Sequence, residues 1–239
     1  MLKLKTFPHQ TDYRFENYRR IDGPQRLYET PSGKLPSMTT ILSVLDDGGV
    51  DAWRKRVGDD EADRIVNEST TRGNSLHDLS ERYLLNTLRR SDIRGAGAVL
   101  FNRAKPYLDK IEMVVAVEST LYNGDLGYAG QVDAIVMLDG QLTILDHKNT
   151  RRRLDMSKQY VRRKVFKYML QCVGYGLAVN YMYPELNPTQ GCLLVGCHED
   201  SQAEMIRFDL EPLRDELELV TNFYNKKVKS LEPSMFFLV

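Results

Sequence analysis

The run Gly130-Gln131-Val132-Asp133-Ala134-Ile135-Val136-Met137-Leu138-Asp139-Gly140-Gln141-Leu142-Thr143-Ile144-Leu145-Asp146-His147-Lys148 constrains this chain more than any other stretch. It sets charged side chains inside two segments that otherwise read as buried β-strand, with Asp139-Gly140 between them. Both central positions of a type I′ turn need positive φ, and Asp-Gly is among the strongest two-residue signals for one. Counting outward from that turn pairs Leu138 with Gln141, Ile135 with Ile144, and Asp133 with Asp146. Directly opposed residues point to the same face, with Cβ atoms about 5 Å apart. Two carboxylates so placed among Val, Ile, Leu and Met repel and resist desolvation unless positive charge lies between them. Lys148 shares their face but cannot alone balance both acids and satisfy their lone pairs. A bound divalent cation is the economical reading.

Oxygen ligands from Asp133 and Asp146 suit Mg²⁺ or Mn²⁺, ions that polarise a phosphodiester and lower the pKa of a bound water. Lys148 would position that water or neutralise charge developing in the transition state. The competing reading makes Asp133 and Asp146 exposed acids on a half-solvated sheet, with Lys148 an ordinary ion-pair partner.

Gly130-x-x-Asp133 followed by Asp146-x-Lys148 across a hairpin resembles the PD-(D/E)XK nuclease superfamily, and three further segments narrow the resemblance to its RecB-like branch. Arg72-Gly73-Asn74-Ser75-Leu76-His77 resembles the helix start whose histidine joins the metal site in that branch. Gln171-Cys172-Val173-Gly174-Tyr175 matches the Gln-x-x-x-Tyr element on the helix after the lysine. Leu27 to Leu42, with Pro31-Ser32-Gly33-Lys34-Leu35-Pro36-Ser37 at its centre, is similar to the opening of phage exonucleases and of the mitochondrial genome maintenance exonucleases. These segments span roughly residues 27 to 175 in the family's order. Val132 departs from the family by replacing its proline, and Asn149 stands where threonine commonly follows the lysine.

The resemblance implies a restriction-endonuclease-like α/β fold, a mixed β-sheet flanked by helices with an N-terminal helical elaboration. It implies one nuclease domain over residues 1–239: a strand-and-loop elaboration at 1–50, a helical region at 51–111 and a metal-binding core at 112–239. The implied activity is metal-dependent DNA exonuclease, on single-stranded ends, in phage or bacterial replication, recombination or repair. Asp133, Asp146 and Lys148 would carry the chemistry. His77 and the His147 carbonyl are further candidate metal ligands, as is Glu118 on the strand before the hairpin. A structure-selective endonuclease with the same site and a catalytically silent DNA-binding recombination subunit are the alternatives.

Lys plus Arg and Asp plus Glu both total 33, so bulk attraction to nucleic acid is not available and DNA affinity must come from local segregation of charge. The segment after Lys148 supplies one: Arg151, Arg152, Arg153, Lys158, Arg162, Arg163, Lys164 and Lys167 surround a single acid, Asp155. Tyr160, Phe166 and Tyr168 are interleaved, a composition that suits a single strand as well as a solvated helix face. Arg72, Arg151, Arg152, Arg162, Arg163, Gln171 and Tyr175 are the candidate DNA contacts. Gln171 and Tyr175 lie four apart on an apolar helix, where each needs a hydrogen-bond partner such as Lys148 or a substrate phosphate.

Cys172, Cys192 and Cys197 lack paired C-x-x-C spacing and fall short of the four thiolates of an iron–sulfur cluster. With no apolar run long enough to span a membrane and no signal-peptide pattern at Met1-Leu2-Lys3-Leu4-Lys5, the expectation is a soluble protein of a bacterial or phage-infected host cytoplasm. No P-loop appears, so no nucleotide cofactor is expected.

Periodicity predicts helices over about Asp51–Leu88, restarting after Gly73, over Val99–Ile111 and over Leu213–Lys229. Strands are predicted at Met113–Leu121, Gly191–Cys197 and Ala203–Leu210, the last two around a His198–Ser201 turn. A tight Asn123-Gly124 turn would pair Glu118 with Ala129, about 13 Å along the strand from Asp133, whereas a longer loop would bring it nearer.

Overall fold

A computed structural model describes residues 3–200 and 202–231. The chain is mixed α/β. Its centre is a five-stranded sheet of β4 (Met113–Asn123), β5 (Tyr128–Leu138), β6 (Gln141–Thr150), β7 (Gln190–Cys197) and β8 (Glu204–Asp209), in that spatial order. Every neighbouring pair is antiparallel except β6 and β7. A parallel pair needs a crossover. Here α5 (Gln159–Met182) provides it.

The sheet separates two apolar cores because its strands alternate. Ile144 and Leu193 face one core with Leu170 and Val173 of α5 and Leu217 of α6 (Arg214–Leu231). Leu145 and Leu194 face the other with Leu76 and Leu79 of α3 (Asp59–Leu84) and Leu100 and Phe101 of α4 (Ala98–Leu108). A small antiparallel sheet of β1 (Arg19–Ile21), β2 (Leu27–Thr30) and β3 (Gly33–Pro36) leads through Ser37 into the short α1 (Met38–Ile41). Ser37 caps that helix by accepting from the Thr40 N–H, and its backbone bridges to Ala129 of β5. The N-terminal elaboration is thereby tied to the strand that carries Asp133.

Two expectations need correction. Gly73 does not start a helix: it lies inside α3, and the break falls at Gly58, whose φ of 88° separates α2 (Gly49–Val57) from α3. Gly73 is needed for close approach, since a Cβ there would lie 2.6 Å from the Asn149 side-chain nitrogen on β6. Nor is Asn123-Gly124 a two-residue turn. Asn123 pairs with Tyr128 across a four-residue loop, in which the Asn123 side chain accepts from Leu126 N and Gly127 takes the positive φ. The His198–Ser201 turn includes Ser201, which lies outside the described residues. Among the described residues no helix is long and apolar enough to cross a membrane.

Candidate metal centre

Asp139 and Gly140 have φ of 50° and 70°, as the type I′ turn requires, and the pairing runs Leu138 with Gln141 through Ile135 with Ile144 to Ala134 with Leu145. There it stops. Beyond this point β6 follows β7 and β5 follows β4, so the hairpin splays apart where the two acids sit. Alternation of the ladder would set the His147 N–H against Val132. Instead the Asp133 carboxylate enters the gap, and Oδ2 accepts from His147 N at 2.6 Å.

The four-residue loop places Glu118 opposite Asp133, since Val117 pairs with Ala134 and Ser119 with Val132. Glu118 is therefore much nearer the site than a tight turn allows. It holds φ at 46°, a left-handed conformation that a non-glycine residue adopts at a cost. His77 reaches the same point from α3: its Nδ1 lies 3.4 Å from Asp133 Oδ1 and 3.9 Å from Glu118 Oε1. His147 Nδ1 lies 3.5 Å from Asp133 Oδ2. One ligand atom each from His77, Asp133 and His147 fall within 4.8 Å of one another. Asp146 joins no such group among the described residues, because its Oδ2 is drawn to Lys148 Nζ at 2.6 Å. That ion pair is the partner of the buried Oδ2.

Lys148 is held from three sides: by Asp146, by Gln171 Oε1 at 3.1 Å, and by the Tyr168 ring 4.6 Å from the ammonium. Gln171 in turn donates to the Tyr175 hydroxyl at 3.1 Å. Gln171 thus finds the expected partner in Lys148, and Tyr175 finds its own in Gln171. Gly130 makes room for this chain, because a Cβ there would lie 2.8 Å from the Tyr175 ring.

Burial is the largest influence on Asp133, Asp146, His77 and Lys148, and neighbouring charges reverse it for all but Asp146. Burial favours protonated Asp133, but the His77 charge and the His147 contacts hold its carboxyl well below the usual range. Burial raises Asp146, Lys148 opposes it, and the Asp133 charge adds to the rise, so Asp146 stays above its ordinary value. Burial depresses His77, yet the Asp133 carboxylate outweighs it and lifts the imidazole to about 10. Lys148 is likewise raised, burial opposing and Asp146 prevailing. Two carboxylates in one site whose affinities for a proton are pushed apart mark a place where charge is meant to be compensated.

A pocket of about 190 Å³ opens onto these groups and is lined by His77, Glu118, Asp133, Asp146, Lys148, Gln171 and Tyr175. Asp133, Asp146 and Lys148 of the hairpin therefore meet Gln171 and Tyr175 of α5, whereas His147 lies outside the pocket lining. The pocket adds Arg20, Arg26 and Tyr28 from β1, β2 and the turn between them, which the sequence reading left as generic elaboration. No local spacing could show this, since it depends on the N-terminal sheet packing against β5. The imidazole of His147 was also missed; only its carbonyl was expected.

The expected DNA contacts divide. Gln171 and Tyr175 line the pocket, but Arg72 is paired with Glu68 at 3.6 Å and lies outside it. Arg151 and Arg152 both pair with Glu199, Arg163 with Asp47 at 2.7 Å, and Arg162 donates to the carbonyls of Met156 and Ser157. Arg151, Arg152 and Arg153 border a second, larger groove of about 580 Å³ with Arg56, Tyr160 and Lys164.

The donor set fits a divalent cation. One carboxylate and two imidazoles each offer a ligand atom within 4.8 Å of the others, and buried His147 Nε2 has no hydrogen-bond partner. Compared with known proteins, the chain matches no family model and no curated sequence.

Proposed function

We propose that this chain is a metal-dependent DNA exonuclease that hydrolyses phosphodiester bonds at single-stranded ends. The observation that carries the reading is the splayed hairpin, which brings Asp133, Asp146 and Lys148 to one pocket with His77 and Glu118. Asp133 and His77 would hold Mg²⁺ or Mn²⁺, with Glu118 and Asp146 as further oxygen donors. A cation bound there supplies Lewis-acid polarisation of the phosphodiester and a water acidic enough to attack it.

The protein's own groups do the rest. Lys148, kept charged by Asp146 and aimed by Gln171, orients the attacking water and offsets charge gathering on the phosphoryl oxygens. Arg20 and Arg26 on the pocket wall add positive charge for flanking phosphate. The groove of Arg56, Arg151, Arg152, Tyr160 and Lys164 suits a strand that binds through phosphates and base stacking.

Digestion of end-labelled linear and circular single strands in Mg²⁺, Mn²⁺ or chelator tests the reading. Shortening of the linear strand only, abolished by chelator, is expected. Cutting of the circle would make the enzyme an endonuclease, and no cutting by fully folded protein with either metal would overturn the nucleolytic assignment.

A further inference from the structure

We propose that the His147 imidazole, beyond its backbone, is a ligand of the metal centre and biases that centre toward a first-row transition ion over Mg²⁺. The inference rests on the metal-centre reading above and goes further by naming the donor that sets ion preference. His147 stands between Asp146 and Lys148, so alternation turns its side chain away from theirs, toward the face where α3 presents His77. The two rings meet edge to face with centroids 5.6 Å apart.

Ligand geometry agrees. With metal–ligand bonds near 2.1 Å, neighbouring donors lie about 3.0 to 3.5 Å apart and opposite ones about 4.2 Å. The two imidazole nitrogens stand 3.4 and 3.5 Å from the two oxygens of Asp133, and the whole group spans no more than 4.8 Å. A packing role alone does not account for the residue. His147 is 3% exposed, and a histidine that deep ordinarily engages both ring nitrogens, whereas Nε2 has no hydrogen-bond partner. An apolar side chain would fill the space without that penalty. Nδ1, which faces Asp133 Oδ2 at 3.5 Å, is the nitrogen that would take the cation, leaving Nε2 to carry the proton.

The consequence is chemical selectivity. Mg²⁺ prefers oxygen donors and parts reluctantly with its waters, whereas imidazole suits transition ions. Two imidazoles with one carboxylate form a donor set for Mn²⁺ or Fe²⁺, with positions left for substrate and water.

Pulsed electron paramagnetic resonance of Mn²⁺ bound to the wild-type protein counts directly coordinated imidazole nitrogens, and two are expected. Calorimetric titration should then show that His147→Gln weakens Mn²⁺ binding by at least about tenfold and Mg²⁺ by under about threefold, with one nitrogen coupling lost. A single coupled imidazole in the wild type removes His147 from the ligands while leaving the metal centre standing. Equal losses for both ions overturn the claim of preference. Failure of the wild type to bind Mn²⁺ at all would overturn the metal-centre reading as well. The wild-type spectrum decides the matter even where His147→Gln does not fold.

Discussion

At the scale of single residues, the centre stores unfavourable terms that only make sense together. Asp146 is 1% exposed and its principal counter-charge is Lys148. Removing one partner of such a pair costs about 3–5 kcal/mol, whereas replacing both can be neutral. Lys148→Met should therefore destabilise the protein by that order and abolish cleavage, and adding Asp146→Asn should restore most of the stability but none of the activity. Urea unfolding of the wild type and the two variants checks this, with equal losses in the single and the double variant contradicting the coupling. Glu118 makes the complementary case. Its left-handed φ costs on the order of 1 kcal/mol, and its carboxylate faces Asp133. Glu118→Gly should leave stability unchanged or raise it by about 1 kcal/mol while weakening Mn²⁺ binding, read by thermal melting beside calorimetry. A loss of stability with unaltered metal binding would make Glu118 a structural residue only.

At the scale of elements, the centre depends on β5 carrying glycine where α5 crosses it. Gly130→Ala would drive a methyl into the buried Tyr175 ring, an overpacking that costs about 1–3 kcal/mol and disturbs the Tyr175–Gln171–Lys148 chain. A lowered denaturant midpoint together with slowed cleavage is the expected outcome; an unchanged midpoint would show that α5 yields without strain. These elements also show what a sequence can and cannot tell. The Asp139-Gly140 turn was legible because positive φ at two adjacent positions is a local demand, and the pairing followed by counting. The splay beyond Ala134 was not legible, because it arises where β6 pairs with β7, 47 residues on, and β5 with β4 across a loop. Asn123-Gly124 misled for a related reason: the Asn123 side chain closes a longer loop with Leu126, so Glu118 landed opposite Asp133. Gly73 was read as a helix start, yet its role is contact with Asn149, which only tertiary packing reveals.

For the whole molecule, the basic segment after Lys148 was legible as composition but not as available charge. Its cations are answered by acids far along the chain: Arg151 and Arg152 by Glu199, Arg153 by Glu204, Arg163 by Asp47, Lys167 by Asp46. This is how a chain of zero formal net charge carries such a run, and exposed pairs of this kind exchange readily with phosphate. Glu199→Gln should free two guanidinium groups, tighten binding of a labelled single strand, and steepen its salt dependence by about one to two counterions in a fluorescence anisotropy titration. Unchanged affinity would place the nucleic-acid path elsewhere. The central claim, that a splayed hairpin turns Asp133 into the anchor of a hydrolytic metal centre, is tested most directly by nucleotide release. The assay uses a labelled linear single strand in Mn²⁺, with wild type beside Asp133→Asn at equal folded concentration. The expected result is a fall of at least about a hundredfold, in line with the several kcal/mol a bound ion contributes; release by Asp133→Asn at the wild-type rate would contradict it.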